Sequence, residues 1–380
     1  VAVAERFRAD RSPTSRLLGL TASPGGRDEH IEEVVASLGV QRIEARHRDD
    51  VGVKEYVQEV AIEYRWVQLT PTARSIQSDL RSATQREART LQRQGYLRTK
   101  PISSLSVKDL IALRGEIFAR PGPMVRKFGP LYHQLVLLHL HQALERLETQ
   151  GVEPFLQYVE RVEKKVKPSR GDRAFGKLPE VVSARATGTP AMNERRESSH
   201  PKLDSLVVAV RDLLESAKDR PVRILVFAQY RDTIQGIYDR LEAEGIAAGR
   251  FVGQATRDAE DKGMNQRDQA ATLAAFRQGR FPVLVASSVA EEGLDVPDVD
   301  LVVFFEAIPS EIRAIQRRGR TGRNAVGRVL ILLTEETRDV SYQRAEARRE
   351  QSMTRIVRRL SAKSRNRALA DAKDAGTPPS

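Results

Sequence analysis

The sequence predicts an α/β protein with a parallel sheet after residue 201 and an α-helical segment in the middle of the chain. Four near-continuous apolar runs carry the first prediction, and helical or turn patterns separate them. These runs are 223–228 (RILVFA), 282–287 (PVLVAS), 300–305 (DLVVFF) and 328–333 (RVLILL). Strands that are apolar on both faces and alternate with helices are typical of a parallel sheet that is covered on both sides.

Helical spacing replaces this pattern between residues 72 and 199. One helix face is defined by apolar residues at i, i+4, i+7, i+8 and i+11. These residues are Val136, Leu140, Ala143, Leu144 and Leu147. Residues 164–196 are basic, rich in proline and glycine, and without clear periodicity, so we predict a mobile linker or loop there.

The sequence before residue 72 predicts two strands and one helix. Arg16–Thr21 and Glu63–Thr70 have the composition of strands. Acidic residues at Asp28 and Glu29 precede an apolar periodic segment, and acids at a helix start interact favourably with the helix dipole.

The charge balance favours a polyanionic partner. Lys and Arg number 63 against 51 Asp and Glu in 380 residues, which gives a net charge of +12 and a pI of about 10.0. Nucleic acid and anionic membrane both fit such a surplus. No run approaches the roughly 20 apolar residues that span a bilayer, and no signal-peptide pattern opens the chain. We therefore expect no membrane partner and a cytoplasmic location.

Metal binding through cysteine is excluded, because the chain contains no cysteine. Three histidines cluster in the helical segment at His133, His139 and His141. A zinc site needs a suitable spacing and further ligands, so we predict a core or surface role for these histidines and no metal site.

The segment Ile315–Arg323, IQRRGRTGR, combines arginines with two glycines after a predicted helix at Ser310–Arg318. Arginine offers planar, bidentate donors to phosphate oxygens, and glycine lets the backbone turn closely beside a ligand. A solvated basic helix end is the alternative interpretation.

The segment Ser287–Pro297, SSVAEEGLDVP, directly follows a predicted strand. Ligands of open α/β sheets bind beyond the carboxyl ends of the strands. Ser287 and Ser288 can donate to phosphates, and Gly293 with Asp295 can meet a ribose or a metal-bound water. An ordinary strand-to-helix loop is the alternative.

The order of the motifs resembles a known family. TAS at 21–23, FAQYRDT at 227–233 and VGQA at 252–255, followed by the two segments above, resemble motifs III to VI of superfamily 2 helicases. The closest likeness is to the archaeal Hef helicases and their relatives, the Fanconi-anaemia-type fork translocases. It covers residues 1–358 and includes the phrase GLTASPG at 19–25.

The resemblance implies a division into domains. Residues 1–71 would be the C-terminal remnant of a first RecA-like domain, and residues 72–200 a helical insertion domain with a linker. Residues 201–358 would be the second RecA-like domain, followed by a disordered tail at 359–380. The implied partners are forked or branched DNA, the missing N-terminal helicase half, and replication or repair proteins.

The resemblance also implies roles for single residues. Arg320 and Arg323 would be arginine fingers, supported by Gln316, that reach the nucleotide together with Gly293 and Asp295. Thr21 and Ser23 would couple the nucleotide site to DNA movement. The expected DNA-backbone contacts are Arg231, Gln254, Ser287 and Ser288.

A phosphate-binding loop is absent from the 380 residues. The nearest match to G-x-x-x-x-G-K-[ST] is Gly171–Leu178, which has Leu178 in place of the magnesium-binding hydroxyl. We expect the chain to start just after the DExH box, ATP and Mg²⁺ to be held mostly by the missing half, and the isolated chain to be inactive. A DNA-binding module without ATPase activity and an RNA-directed superfamily 2 helicase are the alternatives.

Overall fold

The computed structural model describes residues 5–6, 17–19, 28–40, 42–44, 61–97, 101–102, 105–193, 200–217, 220–253, 263–287, 299–306, 328–340, 348, 351–352, 355–356 and 358–362. Ten helices and six strands lie within these residues.

The strands form one parallel sheet. They are β1 Ala61–Val67, β2 Ile224–Phe227, β3 Ala248–Phe251, β4 Val283–Ala286, β5 Leu301–Phe304 and β6 Arg328–Thr334. Their order in the sheet is β1-β6-β5-β2-β4-β3, and every pair is parallel. The predicted α/β class is confirmed, and each of the four apolar runs after residue 201 forms a strand.

One of the ten helices precedes β1 in the chain, and the other nine lie between β1 and β4. They are α1 Asp28–Leu38, α2 Pro71–Arg93, α3 Val107–Ala119, α4 Val125–Gln150, α5 Val152–Glu163, α6 Arg170–Lys177, α7 Pro179–Asn193, α8 Pro201–Ala217, α9 Arg231–Ala243 and α10 Gln266–Arg277.

Both faces of the sheet are buried, because alternate residues of each strand point to opposite sides. In β2, Ile224 and Val226 join the core formed with α8 and α9, whereas Leu225 and Phe227 join the core formed with α10. Two-sided burial explains why these strands read as continuous apolar runs rather than alternating ones.

Strand β1 extends this sheet at one edge. Its register on β6 runs from the pair Ala61–Arg328 to the pair Val67–Thr334. The sequence assigned residues 1–71 to a first RecA-like domain, but this strand lies in the sheet of the second one. A single strand needs a neighbour for its backbone hydrogen bonds, and the open edge of β6 provides one. The boundary at residue 71 otherwise stays a prediction.

Helices α2 to α7 form a separate helical body. The predicted apolar face of α4 is confirmed, and its residues pack with Ile76 and Leu80 of α2 and Phe155 of α5 in one core. Helix α4 is 26 residues long and contacts α2, α3, α5 and α6.

The linker predicted over residues 164–196 is wrong for most of that range, because α6 and α7 occupy it. Ser169 accepts from the Asp172 N–H, while Asp172 accepts from the Ser169 N–H, which is a capping box that starts α6. Phe175 is fully buried and anchors the helix in the core. The stretch that partly matches a phosphate loop is therefore helical, and a Cβ on Gly171 would lie 2.7 Å from Leu135.

The prediction of a disordered tail from residue 359 onward is wrong for its first residues. Residues 358–362 are helical, and Leu360 packs with Ile356 against Ile31 of α1. Residues 363–380 lie outside the described residues. Within the described part of the chain, we find no helix with the length and apolar character that crossing a membrane requires.

Candidate nucleotide and nucleic-acid interface

The carboxyl ends of the parallel strands meet at one edge of the sheet, where α/β proteins bind ligands. Ser287 follows β4 at this edge and is buried, and its N–H donates to Phe251 O at 2.9 Å. Within the described chain, Ser287 Oγ has no hydrogen-bond partner. A buried hydroxyl without an internal partner is costly, so this atom is suited to an external acceptor or donor.

Arg231 lies at the same edge. It is the first residue of α9, four residues after the last residue of β2, and its Nη2 donates to Gly253 O at 2.9 Å. Gly253 lies two residues beyond Phe251, to whose carbonyl the Ser287 N–H donates. The Arg231 side chain and the Ser287 backbone are therefore both bonded to the end of β3 or to the residues directly after it.

Of the site residues predicted from the sequence, Arg231 and Ser287 lie within the described residues, and each bonds to the chain at or just beyond the end of β3. The others lie outside the described residues. They are Thr21, Ser23, Gln254, Ser288, Gly293, Asp295, Gln316, Arg320 and Arg323. Their roles stay predictions.

Sequence reasoning missed Tyr230, the residue beside Arg231. The Tyr230 hydroxyl donates to Glu145 Oε1 of α4 at 2.8 Å, and the Arg146 guanidinium lies 5.7 Å from its ring centroid. Burial, and the charge of Glu145, raise the pKa of Tyr230, so the phenol stays a donor. The helical body thus contacts the β2–α9 turn directly.

A buried carboxylate joins the same two bodies further along α4. Glu148 accepts from Gln77 Nε2 at 2.7 Å, from Arg81 Nη2 at 2.8 Å and from the Arg338 N–H at 3.0 Å. Its side chain is 1% exposed. Arg81 also donates to Glu336 O at 2.6 Å, so α2, α4 and the turn after β6 meet at one carboxylate.

A buried ion pair stabilises the turn that follows β6. Lys202 and Asp339 are both fully buried and lie 2.5 Å apart, and Lys202 Nζ also donates to Phe305 O at 2.9 Å. Asp339 further accepts from the Thr334 N–H at 3.0 Å. These bonds fix the chain directly after β6 against the chain directly after β5.

Two buried histidines lie at this interface as neutral rings. His141 Nδ1 accepts from Arg338 at 2.8 Å, and its Nε2 donates to Leu105 O at 2.8 Å. His200 Nδ1 accepts from the Lys202 N–H at 3.1 Å, and its Nε2 donates to Glu148 O at 3.3 Å. In each ring one nitrogen must accept, which a protonated imidazole cannot do.

The other two histidines of the sequence cluster also have protein partners. His139 contacts Tyr158 Oη at 2.6 Å and Asp172 Oδ1 at 2.9 Å, and His133 contacts Glu87 Oε2 at 2.7 Å. No group of three His, Asp or Glu side chains in the described residues is arranged to hold a metal ion.

We expect acid to weaken the fold through His141 and His200. Burial and Arg338 lower the pKa of His141 to about 4, and burial and Lys202 lower that of His200 to about 3. In the unfolded chain both histidines take up a proton near pH 6.5. The stability that the two neutral rings contribute is therefore complete above pH 6.5, and it is lost as the pH falls toward their folded-state pKa values. The loss between pH 7 and pH 5 should be on the order of 1–2 kcal/mol per histidine.

Urea denaturation at pH 7, 6 and 5 measures this effect. The double variant His141→Asn/His200→Asn removes both titrating rings and should have a flatter dependence on pH than the wild type. An unchanged slope in the double variant would show that other groups are responsible.

The comparisons with known proteins agree with the parallel α/β fold. Residues 205–325 match the helicase conserved C-terminal domain. The Pyrococcus furiosus Hef helicase domain is similar in structure with a TM-score of 0.69 and 35% identity, over 90% of this chain and 69% of that one.

Two curated relatives match over nearly the whole of this chain. A Methanocaldococcus jannaschii protein named for ATP-dependent RNA helicase activity is 33% identical, over 94% of this chain and 43% of its own length. The ATP-dependent DNA helicase MPH1 of Pyricularia oryzae is 30% identical, over 88% of this chain and 31% of its own length. The chain thus spans less than half of either relative.

The sheet and the matched domain define the C-terminal motor domain of a superfamily 2 helicase. The similarity to the Hef helicase domain also covers the helical body. The chain therefore belongs to the Hef-type family of these helicases, which also contains the Fanconi anaemia group M proteins.

Proposed function

We propose that this chain is the C-terminal portion of an ATP-dependent DNA helicase or translocase that acts on forked or branched DNA in repair or replication restart. Its activity requires a first RecA-like domain with a phosphate loop. The observation that carries the proposal is the carboxyl edge of the sheet, which holds Arg231 and a Ser287 hydroxyl that has no partner among the described residues.

The proposed roles follow from the chemistry of the donors. Arg231 and Ser287 contact backbone phosphates of DNA, together with Gln254, which follows Gly253, and Ser288, which follows Ser287. A guanidinium and a hydroxyl both donate to phosphate oxygens without reading the base, which suits an enzyme that moves along DNA.

The residue types proposed for the nucleotide site suit the phosphates of ATP. Arg320 and Arg323 would supply cations for the transferring phosphoryl group, Gln316 would support them, and Gly293 and Asp295 would contribute to nucleotide binding. Thr21 and Ser23 couple this site to the DNA. When bound, ATP supplies the free energy of phosphoryl transfer.

The described residues do not fit Mg²⁺, because no group of three His, Asp or Glu side chains among them is arranged to hold a metal ion. At this edge Asp339 pairs with Lys202, and Glu306 accepts from the Gln229 N–H at 2.7 Å. We therefore assign Mg²⁺ to a first RecA-like domain.

DNA binding should weaken steeply as the salt concentration rises. Log affinity should fall with log salt with a slope of about 0.9 per phosphate neutralised on duplex, because bound counterions are released. Arg231→Ala should reduce this slope by about 1 and weaken binding equally for all base sequences. Titration of forked and linear DNA at several salt concentrations measures both quantities.

Arg211→Ala is the matched control. Arg211 is an exposed arginine of α8 that pairs with Glu244, just past the opposite end of α9 from Arg231. Its loss should leave the slope unchanged. Affinity that is independent of salt would contradict the proposal, and tighter binding of a forked RNA of the same sequence would favour the RNA-directed alternative.

A further inference from the structure

An exposed apolar cluster lies where α3 ends and α4 begins. We call it the α3–α4 tip, and it consists of Phe118, Met124, Val125, Phe128 and Tyr132, of which Phe118 is 43% exposed and Phe128 53%. The five are near neighbours in the sequence, and Lys127 Nζ donates to Phe118 O, which brings the start of α4 to the end of α3. Exposed apolar side chains grouped in this way usually mark a binding surface.

Basic residues surround the tip. Between residues 111 and 132 the chain carries Arg114, Arg120, Arg126 and Lys127 against the single acid Glu116. The surface therefore combines aromatic rings with a local positive charge. A purely apolar partner would not require this charge, whereas a polyanion with exposed rings of its own matches both properties.

Several contacts hold the tip in one conformation. The Arg114 guanidinium lies 5.9 Å from the Phe118 ring centroid, and Lys127 Nζ donates to Phe118 O at 2.6 Å. Arg120 donates to Gly95 O at 2.6 Å and lies 3.9 Å from the Tyr96 ring centroid. The Phe118 ring and the chain on both sides of it are thus positioned before any partner arrives, which reduces the entropy lost on binding.

The tip lies far from the sheet. Twenty residues of α4 separate Phe128 from Glu148, which at 1.5 Å per residue is about 30 Å. The Glu148 end of α4 is fixed to the turn after β6, and Glu145 is fixed to Tyr230 beside Arg231. Helix α4 therefore connects the phosphate-contacting edge of the sheet with the distant tip.

We propose that the α3–α4 tip stacks on a base exposed where duplex DNA opens into single strands. The Phe118 and Phe128 rings cover the face of the base, and Arg126 with its basic neighbours contacts the adjoining phosphates. Fully paired duplex presents such a face only at its ends, so the tip discriminates a junction from continuous duplex. This proposal rests on the proposed function, because it takes DNA as the partner.

The test compares two DNA ligands with equal numbers of phosphates, a fork with two unpaired arms and a hairpin-capped duplex. Fluorescence anisotropy with the full 380-residue chain at one salt concentration gives both affinities. Phe118→Ala and Phe128→Ala should each weaken fork binding by about tenfold, the range expected for loss of one stacked base. Duplex affinity should change by less than about twofold, because the phosphate contacts remain.

Two further variants make the result specific. Phe128→Trp keeps a stacking face and should retain fork binding. Trp66→Ala removes an aromatic side chain of similar exposure, 41%, from strand β1 and should leave both affinities unchanged. A 5-iodouracil at the junction should form a photo-cross-link within residues 118–132.

The outcomes separate this proposal from the proposed function. If the Phe variants weaken fork and duplex binding equally, or leave both unchanged, the stacking role is overturned while DNA binding stands. If the tip variants bind the fork normally but abolish self-association in sedimentation, the tip is a protein interface and the proposal is also overturned. If the wild type binds neither DNA at low salt, the proposed function fails and this proposal fails with it.

Discussion

Arg320→Ala and Arg323→Ala should each reduce ATP turnover severely when the chain is joined to a first RecA-like domain that carries a phosphate loop. Arginine fingers contribute on the order of 10³- to 10⁵-fold in GTPases, and the effect here can be smaller. DNA affinity without nucleotide should stay nearly unchanged. The reason is that a cation reaching across the cleft acts on charge that develops in the transition state.

The comparison requires kcat, KM and nucleotide-free DNA affinity for each variant. Lys substitution at Arg320 or Arg323 should not restore turnover, because a point charge does not reproduce the planar fork of donors. Arg317→Ala and Arg318→Ala are the matched controls from the same motif, with milder expected losses. Loss of DNA binding with kcat retained would make Arg320 and Arg323 DNA contacts instead.

Glu148→Ala should lower the free energy of unfolding by about 3 kcal/mol, because removing one member of a buried charged network leaves its partners unpaired. The partners are Arg81, Arg338 and Gln77, which span α2 and the turn after β6. The loss should weaken the junction between the helical body and the sheet, where the Tyr230–Glu145 and Arg338–His141 bonds remain.

Urea denaturation measures the stability change, and limited proteolysis reports whether the helical body separates. Glu148→Gln keeps the volume and one acceptor oxygen and should have a smaller effect. Glu116→Ala, at an exposed position of α3, should change stability by less than about 0.5 kcal/mol. An equal loss for Glu116→Ala and Glu148→Ala would contradict a joining role for Glu148.

Most of the sheet was predictable because its strands are buried on both faces. β2, β4 and β5 consist entirely of apolar residues, and β6 is apolar from Val329 to Leu333. β3 was not predictable, because its sequence, AGRF, is short and contains glycine and arginine. Gly249 is required there by packing, since a Cβ would lie 2.2 Å from the Phe281 ring.

Composition misled the prediction at α6. The basic residues and glycines of this segment suggested a loop, whereas the helix is set by local hydrogen bonds. The S-x-x-D spacing of Ser169 and Asp172 was the readable signal, because a capping box needs only these two side chains. Burial of Phe175 then fixes the helix, and burial depends on α4, which lies far away in sequence.

The motifs of the candidate site could be predicted from the sequence, but the long-range side-chain contacts that hold the site in place could not. Arg231 and Ser287 follow strands, so the edge of the sheet at which they lie follows from parallel topology. Tyr230 with Glu145 and Arg338 with Glu148 are separated by 85 and 190 residues. No local pattern pairs side chains so distant, and only the folded chain brings them together.

Steady-state ATP turnover in the presence of forked DNA tests most directly whether this chain supplies one half of a shared nucleotide site. The 380 residues contain no phosphate loop, so the β- and γ-phosphates and Mg²⁺ have no cradle within them. We predict no turnover above background for the chain alone, and turnover that depends on Arg320 once a first RecA-like domain is joined to it. Clear turnover by the chain alone that is abolished by Arg320→Ala would contradict this division of the site.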